Sequence, residues 1–404
     1  MSDKTPKTGV IRDNRPRLYY LDWLRVLAIG VVFFFHNNMF FTSYDFQLKN
    51  AETSLSSTIF MSFLSQWMMP LFFFIAGAAV YFALQVRSAR QFIRERGLRL
   101  MIPFIFGLFV IAPPQVYLER LQNSQFVGTY LQFYPHYFDG IYGFGGNFAT
   151  SGLHLWFLLF LAVFSVFALP LLLPKKQSGK SLISRFATLF ERPWALILLF
   201  LPLVPIDILS DMAGLGPTRV LFGGWIFFSY VLFFIYGYLV ISSKKIQEII
   251  RRYSKIAFIV AVVSTAIIFI LRYQVDIQTY GTQGNVGMIF LRAFGSWCWI
   301  IAIVGFANRF LNFSNRFVRY ANEAVLPFYV LHQTIILGIG FHVVQWNMGI
   351  PAKYAIISST SFAAIMAFYE LLIRRVNVFR VLFGMRPKKR QSEAKLQPSS
   401  QLPS

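Results

Sequence analysis

Residues 18–41 read LYYLDWLRVLAIGVVFFFHNNMFF, an apolar run long enough to cross a bilayer that nevertheless carries Asp22, Arg25 and His36. A charge near mid-membrane costs roughly 2.5–3.5 kcal/mol even on insertion scales, so an ionisable group there points to function. In a helix, Arg25 and His36 lie eleven residues and about 16 Å apart on one face, with Asp22 one turn before Arg25. The three form a stripe along a single helix.

The rest of the chain explains what kind of helix this is. Over 404 residues the sequence is 56% hydrophobic and only 13% charged, with 47 phenylalanines and a mean hydropathy of +0.56. That composition excludes a soluble globule and predicts an all-α polytopic membrane protein. The apolar segments are near twenty residues without strict alternation, so they read as helices and not barrel strands. The net charge of +22 would suggest nucleic acid in a soluble protein, but here its placement follows membrane topology and no nucleic-acid partner is expected. The single cysteine, Cys298, lies in an apolar segment and reads as packing.

Taken in order, residues 1–17 form a basic arm with Lys4, Lys7, Arg12, Arg15 and Arg17, too long and polar for a cleaved leader. Ten spans follow, at about 18–41, 58–84, 100–116, 151–173, 193–209, 219–241, 256–271, 286–307, 324–342 and 352–373. The transmembrane domain runs over 18–385, and 386–404 is a basic, then Ser/Gln/Pro-rich tail read as disordered. With the N-terminus inside, 31 of the 38 Lys and Arg fall in cytoplasmic segments, 5 outside, and Arg25 and Arg292 within spans. Both termini are therefore expected in the cytoplasm, with the chain integral to the cytoplasmic (inner) membrane. Pro103 is placed near the start of the third span, and 117–150 is the longest outer loop, aromatic and Gly-rich.

In this orientation Arg25 occupies the inner half of the bilayer and His36 the outer half. A donor that is anionic at one end and reactive at the other has that shape, and an acyl-coenzyme A fits it as substrate, with no bound cofactor. Arg96 and Arg99, at i and i+3 beside the third span, supply a phosphate seat; Arg87, Arg90 and Arg94 read as positive-inside charge. His36 suits two roles, general base toward a sugar hydroxyl or transient acyl carrier. Asp22 either joins that chemistry or pairs with Arg25 to lower the cost of burying each.

LDWLR with the gap from Arg25 to His36, RGLR at 96–99, HLWFLLFL at 154–161 and VLPFYVLHQ at 325–333 together resemble the integral-membrane acyltransferase-3 family, over about residues 17–385. HLWFLLFL and the run at 369–389 resemble especially the branch that modifies periplasmic glucans. The resemblance implies transfer of an acetyl, succinyl or related group from cytoplasmic acyl-CoA to a saccharide hydroxyl outside. It makes His36 the essential histidine, Arg25 its motif partner, and Arg96 and Arg99 the paired arginines of the third helix. Where many members carry a proline shortly after the ninth-helix histidine, His332 is followed by Gln333 and Thr334.

Secondary candidates are weighed beside this. His154 and Trp156 either bind the acceptor or sit at the interface, with Trp156 in an aromatic belt, and His332 with Tyr329 either binds substrate by hydrogen-bonding across the cavity or packs. Asp207 and Asp211 at the outer mouth either accept from acceptor hydroxyls or are solvated loop residues, Arg292 is a candidate for a succinyl carboxylate, and the aromatic loop suits either sugars or an interfacial belt. His136 and His342 are assigned no role, and no metal motif, Walker loop or GxSxG is present. The rival to acyl transfer is a saccharide or lipid-linked sugar transporter using the same stripe. A third reading has the chain pass acyl groups to a separate transferase.

Overall fold

The computed structural model describes residues 18–174, 179–216, 218–275 and 286–388. The arm 1–17, Lys175 and Lys176 of the basic linker, and tail residues 389–404 lie outside the described residues. All the regular secondary structure of the described residues is helical, apart from two isolated bridges in the loop around 141–148.

Among the described residues, eight segments are long and apolar enough to cross a membrane: Tyr19–Phe41, Leu55–Val86, Ala89–Gln122, Pro193–Met212, Lys244–Tyr273, Val286–Phe310, Arg316–Val343 and Ile350–Ile373. Two shorter apolar helices, within Leu153–Phe167 and Phe227–Ser242, coincide with the fourth and sixth expected spans. A further helical turn at Leu169–Leu172 carries the fourth to within two residues of its expected bounds, whereas the expected start of the sixth does not survive. The sixth begins at Phe227 because Gly223 and Gly224 adopt positive φ and break the chain after a turn at Thr218–Leu221.

The elements that position the site are α1 (Tyr19–Asn38), α2 (Leu55–Ser65), α3 (Met68–Val86), α4 (Ala89–Phe106), α5 (Pro113–Gln122), α6 (Tyr130–His136), α7 (Trp156–Phe167), α8 (Phe227–Ser242), α9 (Lys244–Tyr273), α10 (Val286–Phe310) and α11 (Arg316–Val343). Helix α1 is central and packs against α3, α10 and α11. Small residues let neighbours approach closely: a Cβ on Gly77 of α3 would fall on the Phe234 carbonyl of α8, and one on Gly237 of α8 on the Phe74 carbonyl of α3.

At Pro70 and around the turn at 107–111, side chains take up freed backbone carbonyls. Pro70 has no N–H for the Gln66 carbonyl, which instead accepts the Ser296 hydroxyl at 2.6 Å. Pro103 is not at a helix start, because α4 begins fourteen residues earlier at Ala89 and carries the arginines 90–99 on its own first turns. Past it the chain widens into a π-helical turn at Gly107–Ile111, followed by Pro113 and Pro114. The carbonyls of Leu108 and Phe109 are taken by the hydroxyls of Tyr137 and Tyr134 at 3.0 and 3.1 Å, and that of Ile111 by Thr334 and Gln115 at 2.8 and 3.1 Å.

Those bonds organise the expected outer loop into a small lobe. Its own core is Ala112, Val116, Phe133, Tyr137, Ala149 and Leu153, so many of its aromatics are interior to the lobe and do not form an interfacial belt.

Candidate functional site

On α1 the stripe forms as its spacing requires, but its two ends face different surroundings. At the lower end Arg25 donates to Asp22 at 3.2 Å and to Asn322 Oδ1 at 3.0 Å, while the Asn322 amide donates back to Asp22 at 3.2 Å. This triangle spreads the guanidinium and carboxylate charge over an amide dipole and favours the pairing role of Asp22. Asn322 carried no weight in the sequence. Its signal is periodicity, since Asn322, Tyr329 and His332 recur at seven and ten residues, one face of α11.

Arg25 shares a cavity of about 340 Å³ with Arg96 and Arg99. Its walls are largely apolar, from Ile29, Phe72, Ile75, Phe157 and Leu161, and its far end is Tyr329. Arg96 is held through Nε by the Ser165 hydroxyl at 3.0 Å, which leaves its two terminal nitrogens to the cavity. Among the described residues no carboxylate lies within ion-pair distance of Arg96 or Arg99. Glu95, immediately before Arg96, is engaged instead by Arg87 at 2.9 Å and Arg386 at 3.6 Å. Two adjacent guanidiniums not paired to an acid, in a largely apolar pocket whose carboxylate, Asp22, is held by Arg25, are an arrangement suited to a phosphate-bearing ligand.

At the upper end three histidines meet. His36 and His332 have ring centroids 4.8 Å apart, and His332 and His154 5.0 Å. His332 Nδ1 lies 2.5 Å from the Tyr329 carbonyl, so it carries the proton and Nε2 is left as an acceptor. That Nε2 lies 3.2 Å from His36 Nδ1, which is also 2.9 Å from the Val32 carbonyl. His36 therefore holds its proton on Nδ1 and keeps its lone pair on Nε2, which no described residue hydrogen-bonds. His154 is fixed by the Val330 carbonyl at 3.2 Å on Nε2 and by Gln115 at 3.4 Å on Nδ1. The Tyr329 hydroxyl donates to the His154 carbonyl. Among the described residues no cluster of His, Cys, Asp and Glu is arranged to hold a metal.

The contacts also fix relative directions. Helix α11 touches α1 through Asn322 at one end and His332 at the other, so the two run parallel. Helix α7 runs against them, with His154 at the histidine end and Ser165 at Arg96.

Several expectations are corrected. The cavity stops at Tyr329, short of His36, so the stripe is not one continuous channel here. Trp156 is 7% exposed and packed among Phe73, Phe160, Phe222 and Tyr230, neither interfacial nor on the cavity. His154 is likewise buried and not interfacial. Asp207 is fully buried and not solvated, 3.4 Å from Arg219 and 3.7 Å from Arg292, and Asp211 pairs with Arg219. Arg292 stacks 3.9 Å over Trp225 and donates to the Gly224 carbonyl, committing it to that network and away from the donor cavity. Glu370 pairs with Arg374 at 3.0 Å and also accepts from Tyr320.

Comparison with known proteins adds an independent line. The profile of the acyltransferase domain family matches residues 18–370. A Salmonella gallinarum protein named glucans biosynthesis protein C is 25% identical over 410 aligned residues, which take in 94% of this chain and 98% of the relative. Proteins of the same name from Escherichia coli O1:K1 and Salmonella paratyphi B are each 24% identical, covering 81% and 94% of this chain and 84% and 98% of their own lengths. No solved structure matches.

Proposed function

The chain belongs to the integral-membrane acyltransferase-3 family, and on that premise we propose that it carries an acetyl- or succinyl-type group from cytoplasmic acyl-CoA to a hydroxyl of an extracytoplasmic saccharide. The name of its relatives suggests a glucan as acceptor. In this reading the chain crosses the cytoplasmic membrane ten times with both termini inside, the two short apolar helices counting as spans.

The observation that carries the proposal is the convergence of Arg25, Arg96 and Arg99 on one cavity below a histidine cluster whose reactive nitrogen is unoccupied. Arg96 and Arg99 hold donor phosphates, and the apolar walls take the pantetheine arm toward Tyr329. The thioester then passes Tyr329 to reach His36, seven residues or about 10 Å above Ile29. His154 and the Tyr329 hydroxyl, tied to each other, form the wall on the acceptor side.

Both routes use His36 Nε2. As general base it takes the proton of the attacking sugar hydroxyl, the carbon–sulfur bond breaks, and the imidazolium returns that proton to the departing thiolate. As acyl carrier it attacks the thioester itself, and its Nδ1 proton passes to His332 Nε2 and on to the thiolate. The sugar hydroxyl then takes the acyl group and its proton restores the imidazole. In either route His332 shares the positive charge that develops on His36.

Purified protein in detergent, given radiolabelled acyl-CoA and a glucan oligosaccharide, labels the sugar without any ion gradient. Absence of label with a panel of donors and acceptors, while sealed vesicles accumulate saccharide, overturns acyl transfer in favour of transport.

A further inference from the structure

The lobe between α4 and α7 holds a second cavity, of about 370 Å³, within the range of small-ligand pockets. Its frame is saturated. Arg120 donates to Asn147 at 2.8 Å, Gln125 Oε1 at 2.7 Å and the Gly146 carbonyl at 2.9 Å, and Glu119 lies 3.4 Å away. Asn147 in turn donates to the His136 carbonyl at 2.9 Å. Arg120 thus serves as scaffold, its donors already engaged, and His136 is paired with Asp139, so no unpartnered cation lines the cavity among the described residues.

What remains unspent is a different set. His136 and Asp139 pair at 2.9 Å through Nδ1 and Oδ2, and both side chains are more than half exposed. Asp139 Oδ1, the second nitrogen of His136 and the amide N–H groups of Gln125 have no hydrogen-bond partner among the described residues. They line one cavity together with Phe126, whose ring centroid lies 6.1 Å from that of His136. Acceptors and donors sharing a groove with an apolar ring match the hydroxyls and C–H face of a neutral sugar. Gly145 on the same wall has φ +85°, and a Cβ there would meet nothing within 4 Å, so the wall is bare backbone open to a flat ring.

The lobe also stands at the correct end of the molecule. The Gln122 side chain bonds the Lys49 backbone in both directions, at 2.8 and 3.0 Å. Lys49 donates to the carbonyls of Met39, Thr42 and Tyr44, closing the chain just beyond His36. The groove therefore belongs to the histidine end of α1, opposite Arg96 and Arg99.

We infer that this groove is an acceptor subsite that grips glucose units of a neutral oligosaccharide at a distance from the hydroxyl being acylated. The inference rests on the acyl-transfer reading for its ligand class. Binding of linear glucose hexasaccharides of several linkages to the purified full-length chain, without acyl donor, tests it. The wild type binds at least one hexasaccharide, and Asp139→Asn and Gln125→Ala each weaken that binding about tenfold. In the transfer assay the same variants raise KM for the hexasaccharide and leave kcat, and transfer to free glucose, unchanged. Wild-type-like binding by both variants, or a wild type that binds none of the hexasaccharides, overturns the subsite. Binding that Asp139→Asn weakens, with no acyl transfer to any sugar, upholds the subsite and removes the acyl-transfer reading instead.

Discussion

Replacing Arg99 by Gln separates a ligand seat from a topology charge, because the two predict opposite changes in the free and bound protein. Arg99 sits one turn from Arg96, shares its cavity with Arg96 and Arg25, and has no carboxylate partner among the described residues. Removing a like charge at that spacing relieves about 0.2–0.5 kcal/mol of repulsion, so the ligand-free protein gains a little stability or stays level. The donor complex loses a charge-assisted hydrogen bond of about 1.5–3 kcal/mol, which is about ten- to 150-fold in the Kd for acyl-CoA. Because part of that energy is screened Coulomb attraction, the ratio of variant to wild-type Kd shrinks as salt is raised. Thermal unfolding in detergent and equilibrium binding of acyl-CoA measure the two quantities on one preparation. A variant that loses stability yet binds acyl-CoA as the wild type does would refute the reasoning and return Arg99 to the positive-inside charge.

Three other outcomes follow from the packing and the histidine cluster. His332→Leu removes the acceptor for His36 Nδ1–H and lowers kcat while leaving the acyl-CoA Kd unchanged, by less than the roughly 10²–10⁴-fold of a general base itself; steady-state kinetics with both ligands varied report it. Gly77→Val drives a side chain into the Phe234 carbonyl and splits α3 from α8, costing about 1–3 kcal/mol seen as a lowered Tm. Arg292→Met leaves Asp207 with one guanidinium fewer in a fully buried position and costs about 3–5 kcal/mol, while donor affinity of the folded fraction stays at the wild-type value.

How much of this was legible in the sequence depended on the range of the interaction. The stripe from Asp22 to His36 lies on one helix, where a 3.6-residue period alone fixes the geometry, and the apolar runs marked all eight long helices. Arg96 and Arg99 could be named because they share a face of α4, although their meeting with Arg25 needed the fold. The contact of His36 with His332, 296 residues away, has no local signature. Asp207 and Asp211 looked solvated because the partners that bury them, Arg219 and Arg292, come from later segments. Pro103 misled for a physical reason: the basic run before it reads as a linker by charge, yet its arginines project from the first turns of a helix that starts at Ala89. The lobe was hidden because tyrosines in an apparent loop bond carbonyls that a π-turn and two prolines set free.

The most direct test of the central claim is single-component acyl transfer by His36→Ala. Purified and given radiolabelled acyl-CoA and a glucan oligosaccharide, the variant should bind the donor with an unchanged Kd and transfer no label, while the wild type labels the sugar under the same conditions. Transfer by His36→Ala at the wild-type rate would contradict the account and remove His36 Nε2 from the reaction.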